Sequence, residues 1–219
     1  TILQMFRAGA SNNTRTGLSK LYSTYVNNFR KWKTASPTFL LNNLIGNSSN
    51  LALSGISVDE QAKYGKTILD IMQNGENYAM ARLSGKTLDN YANGIADYWE
   101  LYRSLGFDTS ALQLNEMPKE IKELFTGERK LSGFKDYLVN GIPYFNNMMN
   151  NKMDMSARLT VMLKCLDDPS YMSNINVDNV YDAISKVMFD PQMLTSWEKK
   201  TAKNVIPFYT YAKNNLIYH

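Results

Sequence analysis

Leu88-Asp-Asn-Tyr-Ala-Asn-Gly-Ile-Ala-Asp-Tyr-Trp-Glu-Leu-Tyr-Arg-Ser-Leu105 is the most regular stretch of this chain. Its large apolar side chains, Leu88, Tyr91, Ile95, Tyr98, Trp99, Tyr102 and Leu105, recur at steps of three and four. That step places them along one side of a helix with 3.6 residues per turn. A strand needs alternation with period two, and β-branched alternating runs are nearly absent from the chain. Ser84-Gly85 ahead of the stretch and Gly106 behind it are natural helix breaks. The fold class expected from this reading is all-α.

The same grammar extends in both directions. Toward the N-terminus, Ser57 with Glu60 is a capping box that opens a helix expected to run to about Gly75 and to resume over 78–83. Ser36-Pro37 marks an earlier helix start, with serine as cap and proline where no helical N–H is needed. That helix shows Phe39, Leu40, Leu41, Leu44 and Ile45 on one face, and the amides Asn43, Asn47 and Asn50 on another. Amides at helical spacing hydrogen-bond to a neighbouring segment or to water. Toward the C-terminus, 107–118 reads as a loop and Lys119–Phe125 as a short helix. A longer helix through Leu131, Phe134, Leu138 and Ile142 follows, bent at Pro143 ahead of 144–149. Asn150, Asn151 and Lys152 separate it from a helix over 157–166, stopped by Asp167-Asp168-Pro169; another helix covers 177–188.

The last unit, Val187 to Leu216, begins with a second capping box, Thr195 and Glu198. Its stripe, Leu194, Trp197, Thr201, Val205, Phe208, Ala212 and Leu216, contains Pro207, which has no N–H and crowds the carbonyl of Lys203. A kink is expected there, with Phe208, Tyr209 and Tyr211 just beyond it. The whole reads as an irregular multi-helix domain of about nine helices over 18–219, behind an extended or poorly ordered lead-in at 1–17. The chain starts at Thr1 and stops at His219 directly after a helical pattern, which suggests a fragment of a larger polypeptide.

Composition narrows the function classes. At 219 residues and 44% hydrophobic, the chain can bury a sizeable core. It has no run of 18 apolar residues, so no spanning helix is expected. The single cysteine, Cys165, excludes an internal disulfide framework and sits in an apolar run that suits a buried, inert thiol. Charge is uneven. Residues 1–58 carry six basic groups and no acid, 59–198 sum to −6, and the last 21 residues return to +4. Basic ends around an acidic middle attract a phosphate backbone, an anionic membrane surface, or the acidic part of another copy.

Candidate chemistry is scarce. Gly65-Lys66-Thr67 and Gly85-Lys86-Thr87 resemble the end of a phosphate-binding loop, but Glu60 and Met80 stand where its first glycine belongs. His219 is the only histidine, so no Ser-His-Asp, Cys-His or histidine zinc arrangement is possible. Glu116, Glu120, Glu123 and Asp167-Asp168 read as solvated or helix-end charge. No enzyme activity, metal or cofactor is expected. Around 18–33, Tyr22, Tyr25, Phe29 and Trp32 interleave with Arg30, Lys31 and Lys33. This pattern is either a core stripe with basic flanks or a face for nucleic acid or membrane. Tyr22, Phe29 and Trp32 are the preferred interface residues, followed by Phe39, Asn43, Asn47, Phe208, Tyr211 and Asn214. Arg30, Lys31 and Lys33 are the candidate contacts to nucleic acid or another anionic surface.

Two segments carry a family likeness. The first is 32–50, with Pro37, Phe39, Asn43 and Leu44; the second is 189–214, with Phe189, Leu194, Thr195, Glu198, Pro207, Phe208 and Asn214. Together they resemble the paired segments of very large bacteriophage proteins carried within the virion: internal virion, ejection and large polyvalent proteins. Asn42 stands where that pattern usually has arginine, and Tyr211 where tryptophan is frequent. The resemblance implies a non-enzymatic structural protein of the virion interior or portal and tail region, one that passes to the host envelope on ejection with the genome. Its implied partners are other phage structural proteins or copies of itself, packaged DNA, and the host membrane during ejection. A sequence-independent DNA-binding module and a membrane-associating translocation element, the latter motivated by 39–53, are the alternatives.

Overall fold

The computed structural model describes residues 24–25, 28–29, 31–107, 119–188, 195 and 197–198. The lead-in at 1–17, Tyr22, Arg30, the kink at Pro207, and Phe208, Tyr211 and Asn214 lie outside the described residues. The protein is all-α, with no strand among the described residues. Residues 24–25, 28–29 and 31–35 are helical, and the elements that follow are α1 (Pro37–Leu53), α2 (Val58–Leu83), α3 (Asn90–Ser104), α4 (Lys119–Phe125), α5 (Gly133–Asp136), a π-helical turn (Tyr137–Gly141), α6 (Ile142–Asp167) and α7 (Val177–Val187). The chain divides into two compact units, each built from two stretches of sequence. Unit 1 comprises Thr1–Phe39 and Met117–Asn146, and unit 2 comprises Leu40–Glu116 and Asn147–His219.

Unit 2 is organised by a stripe on α2. Tyr64, Ile68, Ile71, Gly75 and Ala79 are buried at steps of three and four. Ala92, Ile95, Ala96 and Tyr102 form the matching stripe on α3. Glycine and alanine at these positions allow the two backbones to approach closely. The sequence reading placed a break at Gly75, yet α2 runs through it without interruption. The reason is packing. A Cβ at Gly75 would lie 2.8 Å from Trp99 Cβ, so the missing side chain makes room for the tryptophan.

α6 likewise passes unbroken through Asn150, Asn151 and Lys152, where a separation was expected. This part of α6 is held by α1 at two points: Asn43 Nδ2 donates to Asn150 Oδ1 at 2.6 Å and Asn47 Nδ2 to Asp154 Oδ1 at 2.9 Å. Side-chain bonds made outward leave the helical ladder intact. Further along, nine successive residues of α6, 157–165, are all buried. The apolar ones among them, Ala157, Leu159, Val161, Met162, Leu163 and Cys165, complete the core of unit 2 with Leu51, Ile56, Phe107, Val180 and Ile184. Fully burying one such aliphatic side chain contributes about 1.5–3 kcal/mol.

In unit 1, the irregularity expected at Pro143 appears one turn earlier. Pro143 has no N–H to offer the carbonyl four residues back. Ahead of it the ladder steps to five, and the Ile142 N–H donates to the Tyr137 carbonyl. A π-helical turn is the result. Within the same unit Phe125 packs on Tyr144 with ring centres 4.7 Å apart, and buried Asn146 donates from Nδ2 to the Thr34 carbonyl at 2.7 Å.

Candidate interaction surfaces

α1 is unusual in what it lacks. Charged residues make up 20% of the chain, yet none occurs between Pro37 and Leu53. On its inward side Leu51 is buried and Asn43 and Asn47 are bonded to α6. Leu41, Leu44 and Ile45 fall on another side and are 54%, 47% and 55% exposed. A surface helix is normally solvated by charge, and this one instead presents a leucine–isoleucine strip. The amide stripe therefore holds the helix down, and the aliphatic strip is the surface it leaves open.

In unit 1, residues 131–139 form a second apolar surface. Leu131, Phe134, Tyr137, Leu138 and Val139 are all exposed, Phe134 most of all at 79%. Asp136 shapes this segment. Its carboxylate accepts the Ser132 N–H at 3.0 Å, Asn140 Nδ2 at 2.6 Å and Arg129 Nη2 at 2.6 Å. The backbone N–H of Ser132, then the Asn140 amide, hold this carboxyl below its ordinary range. Buried Asn140 and Gly141 face inward, and a Cβ at Gly141 would meet Tyr137 Cδ2 at 3.0 Å and Leu131 Cδ1 at 3.2 Å. The π-helical turn thus uses its extra residue to carry Tyr137, Leu138 and Val139 outward while Asn140 anchors the base.

The aromatic and basic residues proposed from sequence separate. Trp32 is 76% exposed, whereas Phe29 is half-buried and stacks on Tyr25 with ring centres 6.2 Å apart. Phe39 is also half-buried. Lys31 is largely covered and paired with Glu120 at 2.8 Å, so it is not displayed toward an outside anion. That bond from Lys31 keeps the Glu120 carboxyl below its usual range. Lys33 is exposed.

The carboxylates at the end of α6 are structural rather than merely solvated. Lys164, 7% exposed, donates from Nζ to Glu60 Oε1 at 2.5 Å and Asp168 Oδ2 at 2.6 Å. Asp167 Oδ2 accepts from Lys63 Nζ at 2.5 Å and from the Tyr64 hydroxyl at 3.1 Å. Glu60 does double duty, because its other oxygen takes the Ser57 N–H at 2.8 Å and so closes the capping box of α2. The lysine bonds come first in holding Glu60, Asp167 and Asp168 below the carboxylate range. In return the Asp168 and Glu60 bonds raise Lys164, and the Asp167 bond raises Lys63. The second capping box is formed as well, with the Thr195 N–H donating to Glu198 Oε2 at 2.8 Å and the Glu198 N–H to Thr195 Oγ1 at 3.3 Å.

Among the described residues no group of three histidines, cysteines or carboxylates is placed to hold a metal ion. Gly65-Lys66-Thr67 lies inside α2 and Gly85-Lys86-Thr87 in the turn after it, where neither opens a helix onto a phosphate. Cys165 is fully buried and its thiol is pushed up to about 11 by burial. A shallow cleft of about 510 Å³ is lined by Ser54, Tyr171, Met172, Asn174, Asn179 and Asp182 among others. No helix of the described residues is long and apolar enough to cross a membrane. Comparison of the chain with protein-family models, curated proteins and solved structures finds no match.

Proposed function

We propose that this protein is a non-enzymatic structural component of a bacteriophage virion, carried inside the capsid or near the portal and tail, and entering the host with the genome. The observation that carries the assembly part of this reading is α1: a seventeen-residue helix without charge whose Leu41, Leu44 and Ile45 face outward. An aliphatic strip on a helix, with a polar rim of amide and hydroxyl groups, is the helix-in-groove mode of protein docking. The likeness to internal virion and ejection proteins supplies the setting, and its first segment, 32–50, overlaps most of α1. On this reading α1 docks on another structural protein of the particle or on a further copy of the chain. The DNA-binding alternative draws less support, since Lys31 is occupied by Glu120.

The test is incorporation. Virions assembled with Leu41→Ser/Leu44→Ser/Ile45→Ser protein are disassembled gently and analysed by intact mass beside wild type. The expected result is wild-type protein in a multi-chain assembly and a variant that folds but is missing from the particle. Equal incorporation of the variant overturns docking through α1. Wild-type particles that lack the chain overturn the virion reading itself.

A further inference from the structure

We infer that unit 1 docks peripherally on an anionic lipid surface, with residues 131–139 as the part that enters the headgroup layer. The inference concerns a different surface from α1 and stands independently of the virion reading. Among the described residues, unit 1 carries seven basic and four acidic groups, a net charge of +3, whereas those of unit 2 sum to −4. An apolar protrusion on a net-basic body is the combination that binds an acidic lipid leaflet: apolar side chains partition into the interface while Lys and Arg meet the headgroup charge.

The segment fits this role in detail. Phe134, Tyr137, Leu138, Val139 and Leu131 project from one short stretch, so they can enter a fluid layer together. Aromatic rings with one polar end, such as Tyr137, are favoured at that depth. Lys130 and Lys135 are exposed within the same stretch. The one acid inside it, Asp136, is turned to Arg129, Asn140 and the Ser132 N–H, and its charge is neutralised locally. In sequence, the nearest exposed acid is Glu128.

Other occupants fit less well. A two-fold pairing of this face with the same face of another copy would set two net-positive bodies, each +3 over its described residues, against one another. Protein interfaces are depleted in lysine, and six of the seven basic residues described in unit 1 are lysines. Nucleic acid would use the charge and the aromatic rings but gains nothing from Leu131, Leu138 and Val139.

The experiment is co-sedimentation of the full chain with vesicles of phosphatidylcholine, and of phosphatidylcholine mixed with phosphatidylglycerol, at low and high salt. Binding to the anionic vesicles should exceed binding to neutral ones by about tenfold or more and fall with salt. Phe134→Ser/Leu138→Ser and, separately, Lys130→Glu/Lys135→Glu should each lower it by about tenfold or more with an unchanged melting temperature. Leu41→Ser/Leu44→Ser/Ile45→Ser should bind vesicles as wild type does, which separates this inference from docking through α1. Background sedimentation, equal binding to both vesicle types, or wild-type binding by the Phe134/Leu138 and Lys130/Lys135 variants overturns it. So does a concentration-dependent dimer, or DNA binding, that Phe134→Ser/Leu138→Ser abolishes.

Discussion

Two nine-residue stretches of this protein have nearly the same apolar content and opposite fates. Residues 157–165, Ala-Arg-Leu-Thr-Val-Met-Leu-Lys-Cys, are buried to the last side chain, including Arg158, Thr160 and Lys164. Residues 131–139, Leu-Ser-Gly-Phe-Lys-Asp-Tyr-Leu-Val, are exposed throughout except for Asp136. Burial is therefore set by position among the other helices, and hydrophobicity alone does not determine it. The 157–165 stretch of α6 is covered on every side within unit 2, so even its polar residues must find partners there. Lys164 finds Glu60 and Asp168, and Arg158 lies over the Phe107 ring at 4.8 Å. The stretch around the π-helical turn has no such cover, and its apolar side chains remain available to something outside.

Matched substitutions in the two stretches give the sharpest test. Leu159→Ala should destabilise the protein by about 3 kcal/mol through the cavity it leaves, while Leu138→Ala should change stability by less than about 0.5 kcal/mol. Urea denaturation of both variants measures the difference, and similar losses would remove the contrast. Next in size is Gly75→Ala, whose Cβ collides with Trp99 and should cost about 2 kcal/mol despite alanine's better helix propensity. A stabilised variant would mean that α2 and α3 can separate without penalty. Ser57→Ala removes the cap hydroxyl of α2 and should cost about 1 kcal/mol, read from the same denaturation curves.

The smallest effect is confined to acid. Glu60, Asp167 and Asp168 titrate below their ordinary values when folded. Their contribution is present above the unfolded carboxylate values near about 4 and is lost as pH falls through the folded ones. Melting temperature should therefore drop below about pH 4, and more steeply in wild type than in Lys164→Met. The lysines of the same cluster are raised, so their contribution persists up to the alkaline lysine range. Parallel acid curves for the two proteins would show that the cluster adds no pH dependence.

What was legible in the sequence follows the range of the interactions that determine it. The Ser57–Glu60 and Thr195–Glu198 boxes, the start at Ser36-Pro37, the short helix Lys119–Phe125 and the stop at Asp167 rest on contacts between near neighbours. Such contacts can be read directly. Gly75 could not be, because it looks like a helix breaker unless Trp99 is known to lie against it. Asn150–Lys152 misled for the same reason, since Asn43 and Asn47 satisfy the neighbourhood from more than a hundred residues away. The two apolar surfaces were less accessible still. The 3.6-residue period of Leu41, Leu44 and Ile45, or of Leu131, Phe134 and Leu138, reports a face and says nothing of what covers it. The amide stripe on α1 was a sound guide to partners, while the pairing of Lys31 with Glu120 had no signal in the local pattern.

The division of each unit into two stretches of sequence has a consequence during synthesis. α2 and α3 leave the ribosome well before the buried part of α6 that completes their core. The roughly fifty residues between Ser104 and Ala157 take several seconds at about 5–20 residues per second. For that interval Ile68, Ile71 and Ile95 have only each other, and the nascent chain offers holding chaperones an uncovered aliphatic seam. Chains halted short of Ala157 should be cut readily by protease in this region, and chains halted beyond α7 should resist.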